Sequence, residues 1–182
     1  PLTTHYSPLT ASRSFGQAKS CILVYCFGGV SQLDVWDLKP NAPDGIRGEF
    51  NPMATNVPGI QITEHLPQLA RHVDKLAIVR SMTHGDNSHG SSAHRMLTGR
   101  APAKLGEVVP PSPEDYPHYG SVLTRVRPAR KGIPTFVSLP WTIATSSSVQ
   151  PGQGAGFLGR GVDPLRLEQV TPEVFDFTPD GL

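Results

Sequence analysis

Three of the seven histidines fall inside one short stretch, Thr83-His84-Gly85-Asp86-Asn87-Ser88-His89-Gly90-Ser91-Ser92-Ala93-His94-Arg95-Met96-Leu97-Thr98-Gly99-Arg100. Imidazole is a common ligand of transition metals, and carboxylate adds a hard oxygen donor. The histidines are spaced by five. On a helix that spacing turns about 500° per step, so His84, His89 and His94 do not share a face. On a loop that leads into a helix, His84, Asp86 and His89 could still converge on a divalent cation. The plainer alternative is a polar loop with N-cap residues, and for His94 an ordinary helical histidine.

The same stretch suits an anion. Its Ser, His and Gly residues run into an apolar-periodic segment, and backbone N–H groups at a helix N-terminus face phosphate or sulfate. A hydroxyl from Ser88, Ser91 or Ser92 could attack such a group if a metal lowered its pKa. Arg95 or Arg100 could offset charge developing on the oxygens, and Arg100 could equally serve the negative end of a helix.

A second polar cluster is Gly28-Gly29-Val30-Ser31-Gln32-Leu33-Asp34-Val35-Trp36-Asp37. Paired glycines let the backbone turn sharply against a ligand, and Asp34 and Asp37 place carboxylates just beyond. The alternative is a turn whose aspartates cap a helix. No dinucleotide fingerprint GxGxxG follows the chain's first apolar run, which argues against a nucleotide-binding oxidoreductase.

These clusters need elements to position them. Residues 1–19 read as an irregular lead-in. Ser20–Phe27 is a continuous apolar run of strand length, the pattern of a strand buried on both faces. Residues 38–63 are turn-rich. Glu64–Lys75 has Leu66, Leu69, Ala70 and Val73 at helical spacing, with Thr63 as the expected N-cap. Leu76–Met82 reads as a second strand, completing a βαβ unit. Helices are expected over Ser91–Leu97, ended by Gly99, and over Tyr119–Val126. A third strand is expected over Ile133–Leu139. From residue 140 the chain turns Gly/Ser/Pro-rich without a period, and Phe157 and Leu158 are its expected anchors. The expected fold class is α/β, a partial doubly wound, mainly parallel sheet with long Gly/Pro-rich loops. Ligands bind past the carboxyl ends of such strands, so Asp34 and residues 84–89 are expected to meet there.

Composition narrows the classes. The chain has 182 residues with 18 Gly and 19 Pro, no collagen-like period, and only 17% charged residues. A fibrous protein and a highly charged disordered tail are both excluded. A net charge of +1 offers no basic surplus for nucleic acid. The apolar run Cys21–Phe27 is far short of the roughly 20 residues a membrane helix needs. Cys21 and Cys26 lie five apart, on opposite faces of a strand, so a disulfide between them is not expected.

Several motifs carry a resemblance. Ser91–Pro102 resembles the sulfatase signature that ends in Leu-Thr-Gly-Arg, with His89 where a sulfatase has its nucleophilic Cys. Asn87-Ser88 is similar to the Asn-Ser nucleophile segment of cofactor-independent phosphoglycerate mutases. The wider match is to domain-of-unknown-function family 1501. It rests on Phe27-Gly28-Gly29-x-Ser31-x-x-Asp34-x-Trp36-Asp37, Ile46–Phe50, Glu64–Pro67, Val79–His84 and Pro151–Gly159. That resemblance implies the alkaline phosphatase and sulfatase superfamily, with the C-terminal half of the α/β domain outside residues 20–182. It implies a metal-dependent hydrolase of phosphate or sulfate esters acting on a small anionic substrate. Asp34, with His84 and Asp86, would bind zinc, manganese or calcium. Ser88 or His89 would lie at the nucleophile position, and Arg100 would support the anion. It also implies an exported or periplasmic bacterial protein. The competing expectation is a non-catalytic exported protein that binds glycans or anions on the same fold.

Overall fold

The structure, a computed structural model, describes residues 16–26, 28–106, 109–145 and 148–167. The chain divides into two compact units, 1–81 and 82–182.

In the first unit, α1 (Gln32–Val35) is followed by strands β1 (Pro52–Ala54) and β2 (Gln61–Thr63), then α2 (Pro67–Ala70) and a 3₁₀ turn (Val73–Lys75). The strands pair antiparallel, Met53 opposite Ile62. Ile62, Ala70 and Val73 form the buried centre, with Trp36, Met53, Leu66, Leu69 and Ile78 packed around it. The helical spacing in 64–75 therefore identified the inward-facing residues. It did not give a continuous helix, because Pro67 lacks an N–H and pushes Leu66 away from helical angles. The expected N-cap Thr63 instead lies in β2, 1% exposed. Glu64 turns outward, its Oε1 accepting Asn51 N–H at 2.9 Å and Asn51 Nδ2 at 3.0 Å.

The strands expected at 20–27 and 76–82 are not formed over their described residues. A strand exists only through its ladder, and no described strand forms one with either segment. Ile22 and Val24 are 88% and 78% exposed. The 76–81 segment is instead held by Arg80, whose Nε and Nη2 donate to Trp36 O at 2.7 Å and Gln61 O at 3.1 Å. The βαβ unit expected from these segments is accordingly absent among the described residues.

The second unit holds α3 (His89–Thr98), α4 (Tyr119–Val126) and, beyond them, two short strand pairings and two 3₁₀ turns. Both helices match their sequence signals. Gly99 ends α3 at φ 72°, a left-handed angle that only glycine adopts without strain, and its N–H caps Arg95 O at 2.8 Å. The third expected strand shrinks to β3 (Val137–Ser138), which pairs parallel with β6 (Leu165–Arg166). Between them β4 (Ala144–Thr145) and β5 (Ser148–Val149) form a small hairpin.

The Gly-rich stretch after the hairpin is packed by its polar residues. Gln150 is 1% and Gln153 8% exposed. The Gln153 amide replaces a strand partner, accepting Ile143 N–H at 2.7 Å and donating to Ile143 O at 2.8 Å. Phe157, an expected anchor, is 57% exposed and sits edge-on to Tyr116. Among the described residues no helix is long and apolar enough to cross a membrane.

Candidate functional site

Short-range hydrogen bonds order the His84–Ser88 turn. Asp86 N–H donates to His84 Nδ1 at 3.3 Å, and Asp86 Oδ1 accepts Ser88 N–H at 3.0 Å. This is an Asx turn, the side chain imitating a backbone turn. Ser92 Oγ donates to Asp86 O at 3.0 Å, tying the turn to the first turn of α3. Asp86 is 7% exposed. Its carboxyl is held below the ordinary carboxylate range by the Ser91 hydroxyl first, then by Ser88 N–H, with Arg95 and the Ser88 hydroxyl adding. Asp86 thus stays anionic at the positive end of α3, where the macrodipole favours it.

This geometry sorts the expected residues. Ser88 is the N-cap residue of α3, and its hydroxyl makes no cap bond, turning toward Asp86 instead. His89 opens α3 and is exposed; His84 is also exposed. Asp34 belongs to the first unit, in the first turn of α1, half-buried, its N–H donating to Ser31 O at 3.2 Å and its carboxylate without a hydrogen bond or ion pair among the described residues. Arg100, expected to support the anion, lies at the far end of α3 from Ser88. Arg100 follows the helix C-terminus, and a ten-residue helix separates its ends by roughly 15 Å. Its guanidinium lies 5.8 Å from the Tyr116 ring centroid. Arg95 is the guanidinium whose charge reaches Asp86.

The donor types fit a divalent cation, but the set does not close. His84 and Asp86 share one turn, and among the described residues no three His, Cys, Asp or Glu side chains converge to hold a metal. A closed protein site needs at least three such ligands.

The sequence did not reveal a second polar centre in this unit. His94 is fully buried. Its Nδ1 lies 3.0 Å from Arg100 O, so this nitrogen carries the proton and donates. Its Nε2 has no hydrogen-bond partner and faces Asp115 Oδ1 across 4.0 Å. His118 caps α4, its Nδ1 accepting Gly120 N–H at 2.9 Å, and it stacks on Phe136 at 4.5 Å. Burial, with the Arg166 charge adding, pushes its pKa down from 6.5 to about 4. The one signal in the sequence was position: His118 directly precedes the periodic run of α4.

No curated protein and no solved structure matches the chain. The model of a family described as a protein of unknown function, DUF1501, matches residues 18–181, and the chain belongs to that family.

Proposed function

We propose that the protein is a metal-dependent hydrolase of phosphate or sulfate esters on an alkaline phosphatase-like α/β fold, exported as the sequence resemblance implies. One observation supports this most: a serine hydroxyl and an ionised carboxylate are brought together at the N-terminus of a ten-residue helix. Ser88 Oγ attacks the phosphorus or sulfur and passes its proton toward Asp86. The ester oxygen leaves as the alcohol by taking that proton from Asp86, and water then releases the anion from Ser88, returning a proton to its oxygen. The N–H groups of α3 stabilise the equatorial oxygens. A divalent ion (zinc, manganese or calcium) would lower the pKa of the hydroxyl, with Asp34, His84 and Asp86 as the ligands the resemblance implies.

The test is turnover of p-nitrophenyl phosphate and p-nitrophenyl sulfate, with metal content measured on the same protein. Ser88→Ala abolishes turnover and leaves metal content unchanged, whereas Asp34→Asn lowers both. Undiminished turnover in Ser88→Ala rejects Ser88 as the nucleophile, and a metal-free, inactive protein rejects the hydrolase.

A second reading, a non-catalytic protein that binds glycans or anions, is favoured by a different observation. The Gly-rich stretch after β5 is an ordered wall around a cavity.

A further inference from the structure

A cavity of about 400 Å³ lies within the second unit, walled by the Pro111–Tyr116 turn and the segment from Val149 to Arg166. That volume falls in the roughly 300–1,000 Å³ range of small-molecule sites. Its chemistry comes from Asp115, Tyr116, Gln150, Arg160, Asp163 and Arg166.

Two carboxylates against two guanidiniums leave the wall without net charge, so it does not select an anion. Backbone N–H groups fix both carboxylates. Asp115 Oδ2 accepts Ser112 N–H at 2.8 Å, and Asp163 Oδ1 accepts Ala155 N–H at 2.7 Å. Asp163 keeps its other oxygen, while the other oxygen of Asp115 faces His94 Nε2 across 4.0 Å. Arg166 is partly used, donating to Thr142 Oγ1 and Gln153 O, while the Arg160 guanidinium has no hydrogen bond or ion pair among the described residues. The Gln150 side chain is 1% exposed, and its Oε1 has no hydrogen-bond partner. Its Nε2 is satisfied by Thr145 Oγ1 and Ser148 O. An orphaned buried carbonyl is costly and asks for a donor.

A hydroxyl is the group that answers all of these, since it donates to a carboxylate or amide oxygen while accepting from a guanidinium. Tyr116 adds an aromatic surface, braced edge-on by Phe157 at 5.7 Å. We propose that this cavity binds a neutral saccharide of one or two rings, its hydroxyls bridging the Asp and Arg side chains and its C–H face against Tyr116. The proposal rests on the binding reading above and not on the hydrolase.

The experiment is amide NMR of the full chain titrated with glucose, N-acetylglucosamine, maltose and cellobiose, and separately with inorganic phosphate and sulfate. The expected result is saturable shifts from at least one saccharide at the amides of Gly154, Gly156 and Gly159. Arg160→Gln and Tyr116→Leu should each weaken that binding at least about tenfold. The Arg160 guanidinium has no structural partner to lose among the described residues, so its variant separates binding from folding. No shift with any saccharide overturns the proposal, as do saccharide shifts that both variants leave intact. Shifts with phosphate or sulfate alone also overturn it, while leaving an anion-binding role for the protein standing.

Discussion

A histidine serves as a helix cap only while the capping nitrogen is unprotonated. His118 Nδ1 accepts Gly120 N–H, so adding a proton removes the cap and places a charge against Phe136 and Arg166. The unfolded chain takes up this proton near pH 6.5, the folded chain only near 4. Between those values the unfolded state binds more protons, so stability is lost as pH falls. The full difference is about 3 kcal/mol. Asp86 and Glu64, both held below their ordinary values, add a loss of the same sign at and below the acid end of this window. The measurement is urea unfolding at pH 7 and pH 4.5. His118→Asn keeps an acceptor that does not titrate and is a favoured N-cap. That variant is less stable at pH 7 for want of the Phe136 stack, and it loses most of the pH dependence. A variant that keeps the full slope would place the titration elsewhere.

At the scale of elements, α3 was legible because its signals are its own. The capping turn, the buried Ala93 and Leu97, and the closing Gly99 all lie within its sequence. So was α4. What α3 packs against was not legible, because the partner is backbone. Gly152, at φ 84°, lies so close to α3 that an added Cβ would stand 2.9 Å from His94 Cα and 3.2 Å from Thr98 Cγ2. Gly152 and Gly99 share the left-handed conformation, which costs an L-residue roughly 1–2 kcal/mol. Gly99→Ala adds only a contact with the movable Tyr119 hydroxyl end. Gly152→Ala adds a clash with helix backbone and should be the costlier substitution by about 1 kcal/mol or more. Denaturant midpoints of the two variants decide this. Equal losses would mean that the loop does not seat on the helix. The buried amides of Gln150 and Gln153 were illegible for the same reason. A glutamine reads as surface until one knows that the Ile143 backbone bonds to it, its N–H donating to Gln153 Oε1 and its C=O accepting Gln150 N–H and Gln153 Nε2.

Across the whole molecule, the readings divide by the distance from which each element draws its support. The helices α3 and α4 were recovered, whereas the helix expected over 64–75 is broken up and the hydrogen-bonded His84–Asp86–Ser88 turn was legible only as a polar loop. Arg100 lies a helix length from Ser88, a separation that its nearness in sequence hid. The 20–27 segment shows the limit most clearly. Its composition is that of an inner strand, yet no described strand forms a ladder with it, and Leu23 and Val24 face solvent. Cys21 and Cys26 are both free and exposed, where a doubly buried strand would have hidden them. A thiol reagent such as Ellman's therefore modifies both cysteines in the native protein as fast as it does in urea. An exposed uncharged window of this β-propensity is also a template for association. Val24→Lys, which adds a charge at its centre, should lower light scattering at a given protein concentration without changing α3 or α4. Native-state protection of either thiol, lost only on unfolding, would mean that the segment is covered after all and would restore the inner-strand reading.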